Sequence, residues 1–332
     1  MEVANSSTKP VSTEIPFQYH VFLVEGLGNV ITNGLVFAAI FKHKILRQRK
    51  ELLMIAGLAL ADAIAGLGYV LASINRIPYI VAGRKNELVT SWECMKRAHN
   101  WCFIIGGHIG AVMLVCVSCD RLLACAAPLS YFKLTKHYAW YMLLGFFGYG
   151  MLSSLICVIA SYSVGTNFKP QFSILCLAYS SIGNPIFGDY HFILKVVASS
   201  LSVIIYCFVP VFYKKTLEKQ KDYGSDKQKK EKMRRQRKLI KTMGISNAFT
   251  FIFFVIPNLV RFLFAKSFPP ELRQILLPWG SCLQNLNSLL NLFLYLMNLS
   301  DVKQGIKHLL VCKAMKTIPK DSKLTSQISN KY

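Results

Sequence analysis

Charge is scarce in this sequence, and acidic charge is scarcer still. Of 332 residues 17% are charged, and 16 Asp and Glu stand against 39 Lys and Arg. An ordinary soluble domain carries about a quarter charged residues, so 53% hydrophobic residues and a mean hydropathy of +0.37 point to a membrane as the solvent. The net charge of +23 would suit a nucleic-acid partner if it were spread over a soluble face. It is instead gathered into short segments between long apolar runs, which reads as membrane topology, with no nucleic acid expected. Zinc-type and redox cysteine spacings are also missing: Cys116 and Cys119 form a CxxC only inside an apolar run, where buried thiols are expected. No metal and no cofactor are expected. A His-rich cluster, a glycine-rich phosphate cradle and a nucleophile elbow are all lacking, so nothing argues for an enzyme. The opening MEVANSSTKPVSTEI lacks the charged-then-apolar pattern of a cleavable leader. The first apolar run is therefore expected to act as both signal and anchor.

What is present is a series of long apolar segments. A bilayer core about 30 Å thick requires about 20 helical residues, and only closed helices or barrels satisfy the backbone there. Seven segments meet that length, at 21–41, 52–74, 99–126, 138–162, 190–213, 239–264 and 275–299. Barrel strands would be short and alternating, which these are not. The expectation is an all-α membrane protein: a segment 1–20, a seven-helix transmembrane bundle over 21–299, and a helix and tail over 300–332. One alternating set of connections, with the carboxyl-terminal tail, holds 26 Lys and Arg; the other, with the amino-terminal stretch, holds 9. Positive charge is retained on the cytoplasmic side, which predicts a multi-pass protein of the cell membrane with its amino terminus outside and its carboxyl terminus inside. Asn5 begins an Asn-Ser-Ser glycosylation sequon on that outer side. The longest inner connection, 214–238, is too basic to bury and suits a cytoplasmic partner or anionic lipid headgroups.

Ionisable groups inside a bilayer cost several kcal/mol and need a partner, a water cavity or the interface. Asp62 lies mid-span in LALADAIAGL, and Asn33, Asn287, Ser288 and Asn291 are the donors that a shared central cluster would give it. Asp120 and Arg121 stand at the inner end of the third span. Glu25, His108, Lys195 and Arg261 are further exceptions; Glu25, Lys195 and Arg261 fall toward the outer halves of their spans. For His108 a hydrogen-bonded core role stands beside a ligand contact.

Taken together these residues resemble the rhodopsin-like G-protein-coupled receptors. TNGLVF with Asn33 resembles the family's first span, and LALAD with Asp62 its second. DRLLACAAPLSY resembles the Asp-Arg-Tyr motif and the Pro-Leu-x-Tyr after it, with Leu122 for tyrosine and Pro128 and Tyr131 in register. NSLLNLFLYLMN is similar to Asn-Pro-x-x-Tyr, keeping Asn291 and Tyr295 with Leu292 for proline. Within the family the wording is most similar to the nematode serpentine chemoreceptors of the Srsx and Srx groups. The resemblance implies an orphan chemosensory receptor for a small molecule coupled to a heterotrimeric G protein, with a peptide receptor as the alternative. A transporter or channel is the alternative from another class, and the odd span count and the receptor motifs argue against it.

By the same resemblance, Asp120, Arg121, Pro257, Asn291 and Tyr295 would carry activation and coupling. Cys94 and Cys176 would form the disulfide between the third helix and the second outer loop, with Cys102 as the rival to Cys94. Phe103, His108 and Arg261 are candidates for the ligand pocket, and Cys312 for palmitoylation after an amphipathic eighth helix. Several positions depart from the family. Phe103 occupies the place of the amine-binding aspartate, Asn285 that of the retinal lysine, and Val255 that of the activating tryptophan. Gly110 replaces the serine that helps a sodium site at Asp62, and Arg237 stands where many members put an acid opposite the third-span arginine. That last change is expected to loosen the inactive state.

Overall fold

With no water to hydrogen-bond its backbone, an apolar run in a bilayer closes its bonds internally as helix. The computed structural model describes residues 17–165, 170–176, 178–221, 227–264 and 270–311. The long helices are α1 (Phe17–Lys42), α2 (Lys50–Val81), α3 (Ala98–Ala126), α4 (Lys136–Gly165) and α5 (Pro185–Lys221). They continue with α6, a single rod over 227–264, and α7 (Pro270–Asn298); the short α8 (Ser300–Leu310) follows. Among the described residues α1 to α5 and the 240–260 part of α6 are long and apolar enough to cross a membrane. At 1.5 Å per residue the 29 residues of α7 span about 44 Å and complete a seven-helix bundle.

Helices run further than the apolar runs alone indicate. The basic connection between the fifth and sixth spans is helical from Lys214 to Lys221 and again from Lys227, because lysine, arginine, glutamine and glutamate are good helix formers once outside the bilayer. Near the other end a two-stranded antiparallel ladder, Leu88–Val89 against Phe172–Ser173, was not foreshadowed by any alternating pattern. It brings the α4–α5 connection onto the α2–α3 connection.

Close approach of the helices depends on small residues, as expected where lipid removes the hydrophobic drive between helices. A Cβ on Gly26 would lie 2.9 Å from the Gly66 carbonyl oxygen, and one on Gly106 would lie 2.7 Å from the Ala65 backbone nitrogen. These contacts seat α1 on α2 and α3 on α2. The main core, including Leu53, Ile55, Ile109, Met113 and Tyr295, fills the bundle interior, while Tyr141, Leu144, Leu152 and Ile159 on α4 face outward. Within α6 the turn Phe251–Val255 is π-helical and ends just before Pro257. Proline removes a backbone donor and crowds the preceding turn, so the widened turn and the proline share one distortion. Finally, α8 docks on the α1–α2 connection: the Gly305 carbonyl lies 3.1 Å from His43 Nε2, and Arg49 pairs with Asp301.

Candidate functional site

At the end of the bundle where α3 stops, several charged residues come together. Asp120 and Arg121 form a buried ion pair, 0% and 4% exposed, with Arg121 Nη2 donating to Asp120 Oδ2. Tyr131 lies in the single-turn helix Pro128–Lys133 and reaches both: its hydroxyl donates to Asp120 Oδ2 at 3.3 Å and accepts from Arg121 Nη2 at 3.2 Å. Pro128 at the first turn of that helix costs no hydrogen bond and presets its φ. Burial pushes the Tyr131 phenol above its ordinary range, so it stays a neutral donor. Lys50 covers the Tyr131 ring at 3.6 Å and donates to the Tyr131 and Leu134 carbonyls. Beside it Glu51 pairs with Arg49 at 2.8 Å and lies within electrostatic reach of Arg121. Burial works against the Arg49 cation, but Glu51 and Asp301 hold its pKa above the ordinary value. Among the described residues the acids facing Arg121 thus come from α2 and α3. Arg237 is exposed.

Two links fasten α5 near this cluster, a part-buried one to α3 and a buried one to α6. Thr216 Oγ1 donates to the Cys125 carbonyl at 2.8 Å, and Tyr206 donates to the Ile240 carbonyl. Higher in the bundle Ser202 joins three helices, lying 2.8 Å from Ser118 Oγ and donating to Asn247 Oδ1 at 3.0 Å. Sequence motifs did not single out Tyr206, Ser202 or Asn247; polar residues spaced inside α5 and α6 were the available signal.

The central cluster forms with a different membership from that expected. Asn33 donates to Asn29, and Asn29 donates to Asn285 Oδ1 at 2.9 Å and to the Asp62 carbonyl at 3.1 Å. Ser288 contributes its carbonyl, 3.5 Å from Asn33 Nδ2. Asn287 instead turns toward α6 and pairs with Thr250 at 3.2 Å. Tyr295 is buried within electrostatic reach of Asp62. A Cβ on Gly110 would find only Ala61 at 3.8 Å, so this position offers no oxygen toward Asp62. Asn29 is the member that sequence reading missed, although it lies one turn from Asn33.

At the opposite end Cys94 and Cys176 are joined, Cα to Cα 5.1 Å, and Cys102 is free. Cys176 has a φ of 50°, a left-handed conformation uncommon outside glycine. The disulfide and two donors to its carbonyl hold it there, Arg76 Nη2 at 3.0 Å and His99 Nε2 at 3.3 Å. Phe103 packs edge-on to Tyr69 at 4.9 Å. His108 is fully buried: Nε2 lies 2.8 Å from His191 Nδ1, and Nδ1 lies 3.0 and 3.2 Å from Ser153 and Ser154. Tyr190 extends this network from Ser153 to Tyr149. A cavity of about 200 Å³ lies between α3 and α4, lined by Trp101, Ile105, Met151, Leu152, Ser154 and Leu155. It is apolar and opens on the outward face of the bundle. Asn5 and Cys312 lie outside the described residues; for Arg261 and Asn291 only the helical backbone, in α6 and α7, is described.

No curated protein matches this chain. The model of the seven-transmembrane receptors of the rhodopsin family matches residues 32–295, from Thr32 through Tyr295 and so across the bundle just described. The chain belongs to the rhodopsin family of seven-transmembrane receptors.

Proposed function

We propose that this receptor couples to a heterotrimeric G protein at its Arg121 end and is switched by a small molecule at its disulfide end, as a chemosensory receptor. The Arg121 end is taken as cytoplasmic because the basic connections gather there, which also puts the disulfide in an oxidising compartment. The observation that carries the reading is the buried Asp120–Arg121–Tyr131 cluster, a cation held in reserve between the end of α3 and the short helix after it. In the inactive packing Arg121 is neutralised; in the active packing it is released from Asp120 and meets the partner. Pro257 and the π-turn before it give α6 a place to bend, and Tyr295 and Asn291 repack toward α3. Agonist and G protein each favour the open packing and so favour each other's binding. The disulfide end suits a small ligand because the Phe172–Ser173 strand is tied to Leu88–Val89 there, and Ile174 and Cys176 just after it are buried.

The test is second-messenger output, cAMP and calcium in parallel, from cells bearing the parent chain or Arg121→Ala at matched surface level, with volatile, steroid-like and peptide pools applied. Arg121-dependent output, basal or stimulated, is expected. Ligand-driven current or uptake indifferent to Arg121 would move the chain to the transporter class. A response to the peptide pools alone would replace the small molecule by a peptide.

A further inference from the structure

Glu25, Asn29 and Asn33 are spaced by four along α1 and therefore share one helix face. Their amides bond in one direction. Asn33 Nδ2 donates to Asn29 Oδ1, and Asn29 Nδ2 donates to Asn285 Oδ1. That leaves Asn285 Nδ2 as the open end of the relay: the residue is 3% exposed and this donor has no hydrogen bond. The next group up the seam is the Glu25 carboxylate, which feels the Asn285 amide, yet its buried Oε2 also lacks a hydrogen bond of normal length and angle.

Among the described residues the rest of the surroundings give Glu25 no cation. Tyr69 and Cys282 lie beside it, but the Tyr69 hydroxyl already donates to the Ser281 carbonyl at 3.2 Å. The guanidinium that acts on Tyr69 from beyond it, that of Arg76, is directed to the Leu175 and Cys176 carbonyls at 2.7 and 3.0 Å. No Lys or Arg forms an ion pair with Glu25 among the described residues. A carboxylate at this depth without a cation is costly. Beside it Tyr19, Phe22 and Tyr69 form a continuous series of ring contacts from α1 to α2, at 5.8 and 5.4 Å between centroids. Carboxylate plus aromatic faces is the chemistry that receives a protonated amine.

We infer that Glu25 is the recognition group for a ligand bearing a protonated amine, bound between α1, α2 and α7, and that the asparagine relay carries its arrival to the Asp62 level of the bundle. An ammonium on Glu25 satisfies Oε2, and the carboxylate, drawn toward it, aligns on the Asn285 amide. Each amide below is then polarised in turn, ending where Asn29 meets the Asp62 carbonyl and Asn33 approaches that of Ser288. The site is on α1 and α7, away from Phe103, where α3 offers no charge. The inference rests on the receptor reading above for its signalling half; binding at Glu25 stands or falls alone.

Two measurements on the full chain test it. In intact cells Glu25→Cys is expected to react with a membrane-impermeant trimethylammonium methanethiosulfonate well above the parent, whose Cys102 and Cys282 set the background. In purified receptor at pH 7, phenethylamine is expected to raise the thermal midpoint more than 2-phenylethanol, a probe of similar shape without the charge. That difference is expected to vanish in Glu25→Gln and to survive, reduced, in Glu25→Asp. Labelling no faster than the parent, equal shifts from amine and alcohol, or an amine preference kept in Glu25→Gln would each overturn the proposal. Guanine-nucleotide exchange on added G protein, parent against Arg121→Ala, is read in the same preparations. Arg121-dependent exchange without an amine preference discards the amine site and keeps the receptor; an amine preference without such exchange discards G-protein coupling and keeps the site.

Discussion

The two ends of the bundle are fastened by different chemistry. At the disulfide end the fastenings are one covalent bond, a two-residue strand ladder, hydrogen bonds in which the charged Arg76 is directed to backbone carbonyls, and one exposed ion pair, Arg84 with Glu87. At the Arg121 end they are ion pairs and near-pairs: Arg121 with Asp120, Arg49 with Glu51 and Asp301, and Lys50 over Tyr131. A disulfide and carbonyl contacts hold one arrangement and have no alternative partner. Opposite charges in a low-dielectric interior attract strongly, but either member can be exchanged for another charge of the same sign. The first end is built to stay in place and the second to trade partners. That difference is what a molecule needs if a ligand at a fixed site is to shift a population at a movable one.

The comparison predicts its largest effect at the fixed end. Cys94 and Cys176 are 82 residues apart, and the loop entropy that their bond removes from the unfolded chain corresponds to about 4 kcal/mol. Cys176→Ser also frees a left-handed backbone from one of its restraints. Surface expression is expected to fall severalfold, and the purified protein to lose thermal stability, whereas basal output per receptor at the surface stays near that of the parent. A large rise in basal output per receptor would mean that the disulfide end takes part in the switch.

At the other end the smaller expected change lies in activity. Glu51 keeps Arg121 company from α2 without a direct ion pair, so Glu51→Gln should weaken the inactive packing by about 1 kcal/mol and raise basal output roughly fivefold. Stability should change little, because Arg49 retains Asp301. Equal basal output from the variant at matched surface level would place the whole restraint on Asp120 and Tyr131. Arg237→Glu reads the same balance from α6. Arg237 is exposed, and an acid there offers Arg121 a further partner in the closed packing. Basal output should drop, by no more than about fivefold, since exposed pairs contribute about 1 kcal/mol or less. Output equal to the parent's would discard the idea that Arg237 loosens the inactive state.

Much of this architecture was legible in the residues because a bilayer imposes few rules. Span length, the need to satisfy every backbone group, and the cost of buried charge fix seven helices and single out Asp62, Asp120 and Arg121. The Cys94–Cys176 pair followed from resemblance, since ten cysteines by themselves allow many pairings. The membership of the central cluster was not legible. Asn287 and Asn285 differ by two positions, about 200° around a helix, so one faces α6 and the other α1; no periodicity in a polar α7 says which. The role of Glu51 was hidden for a similar reason: it reads as an interface acid at a helix start, and only the packing of α2 on α3 sets it near Arg121. His108 and His191, 83 positions apart, meet only through the packing of α3 on α5.

The smallest effect expected from the comparison lies at the fixed end, in the turn that delivers Cys94. Thr90 and Glu93 form a capping box on the helix Ser91–Met95: Glu93 N donates to Thr90 Oγ1 at 3.2 Å, and Thr90 N donates to Glu93 Oε2 at 2.7 Å. The Thr90 backbone donor, followed by the Thr90 hydroxyl, Lys96 and Arg97, holds the Glu93 carboxyl below its ordinary value. A carboxyl with a depressed folded pKa adds stability that is full above its unfolded pKa, about 4.3, and is lost as pH falls through the folded value. The box is exposed, so its contribution is at most about 0.5 kcal/mol. Glu93→Gln should therefore cost a degree or so of thermal midpoint at pH 7, with the gap from the parent closing below about pH 4. If the gap persisted unchanged in acid, the charge would be irrelevant to the cap.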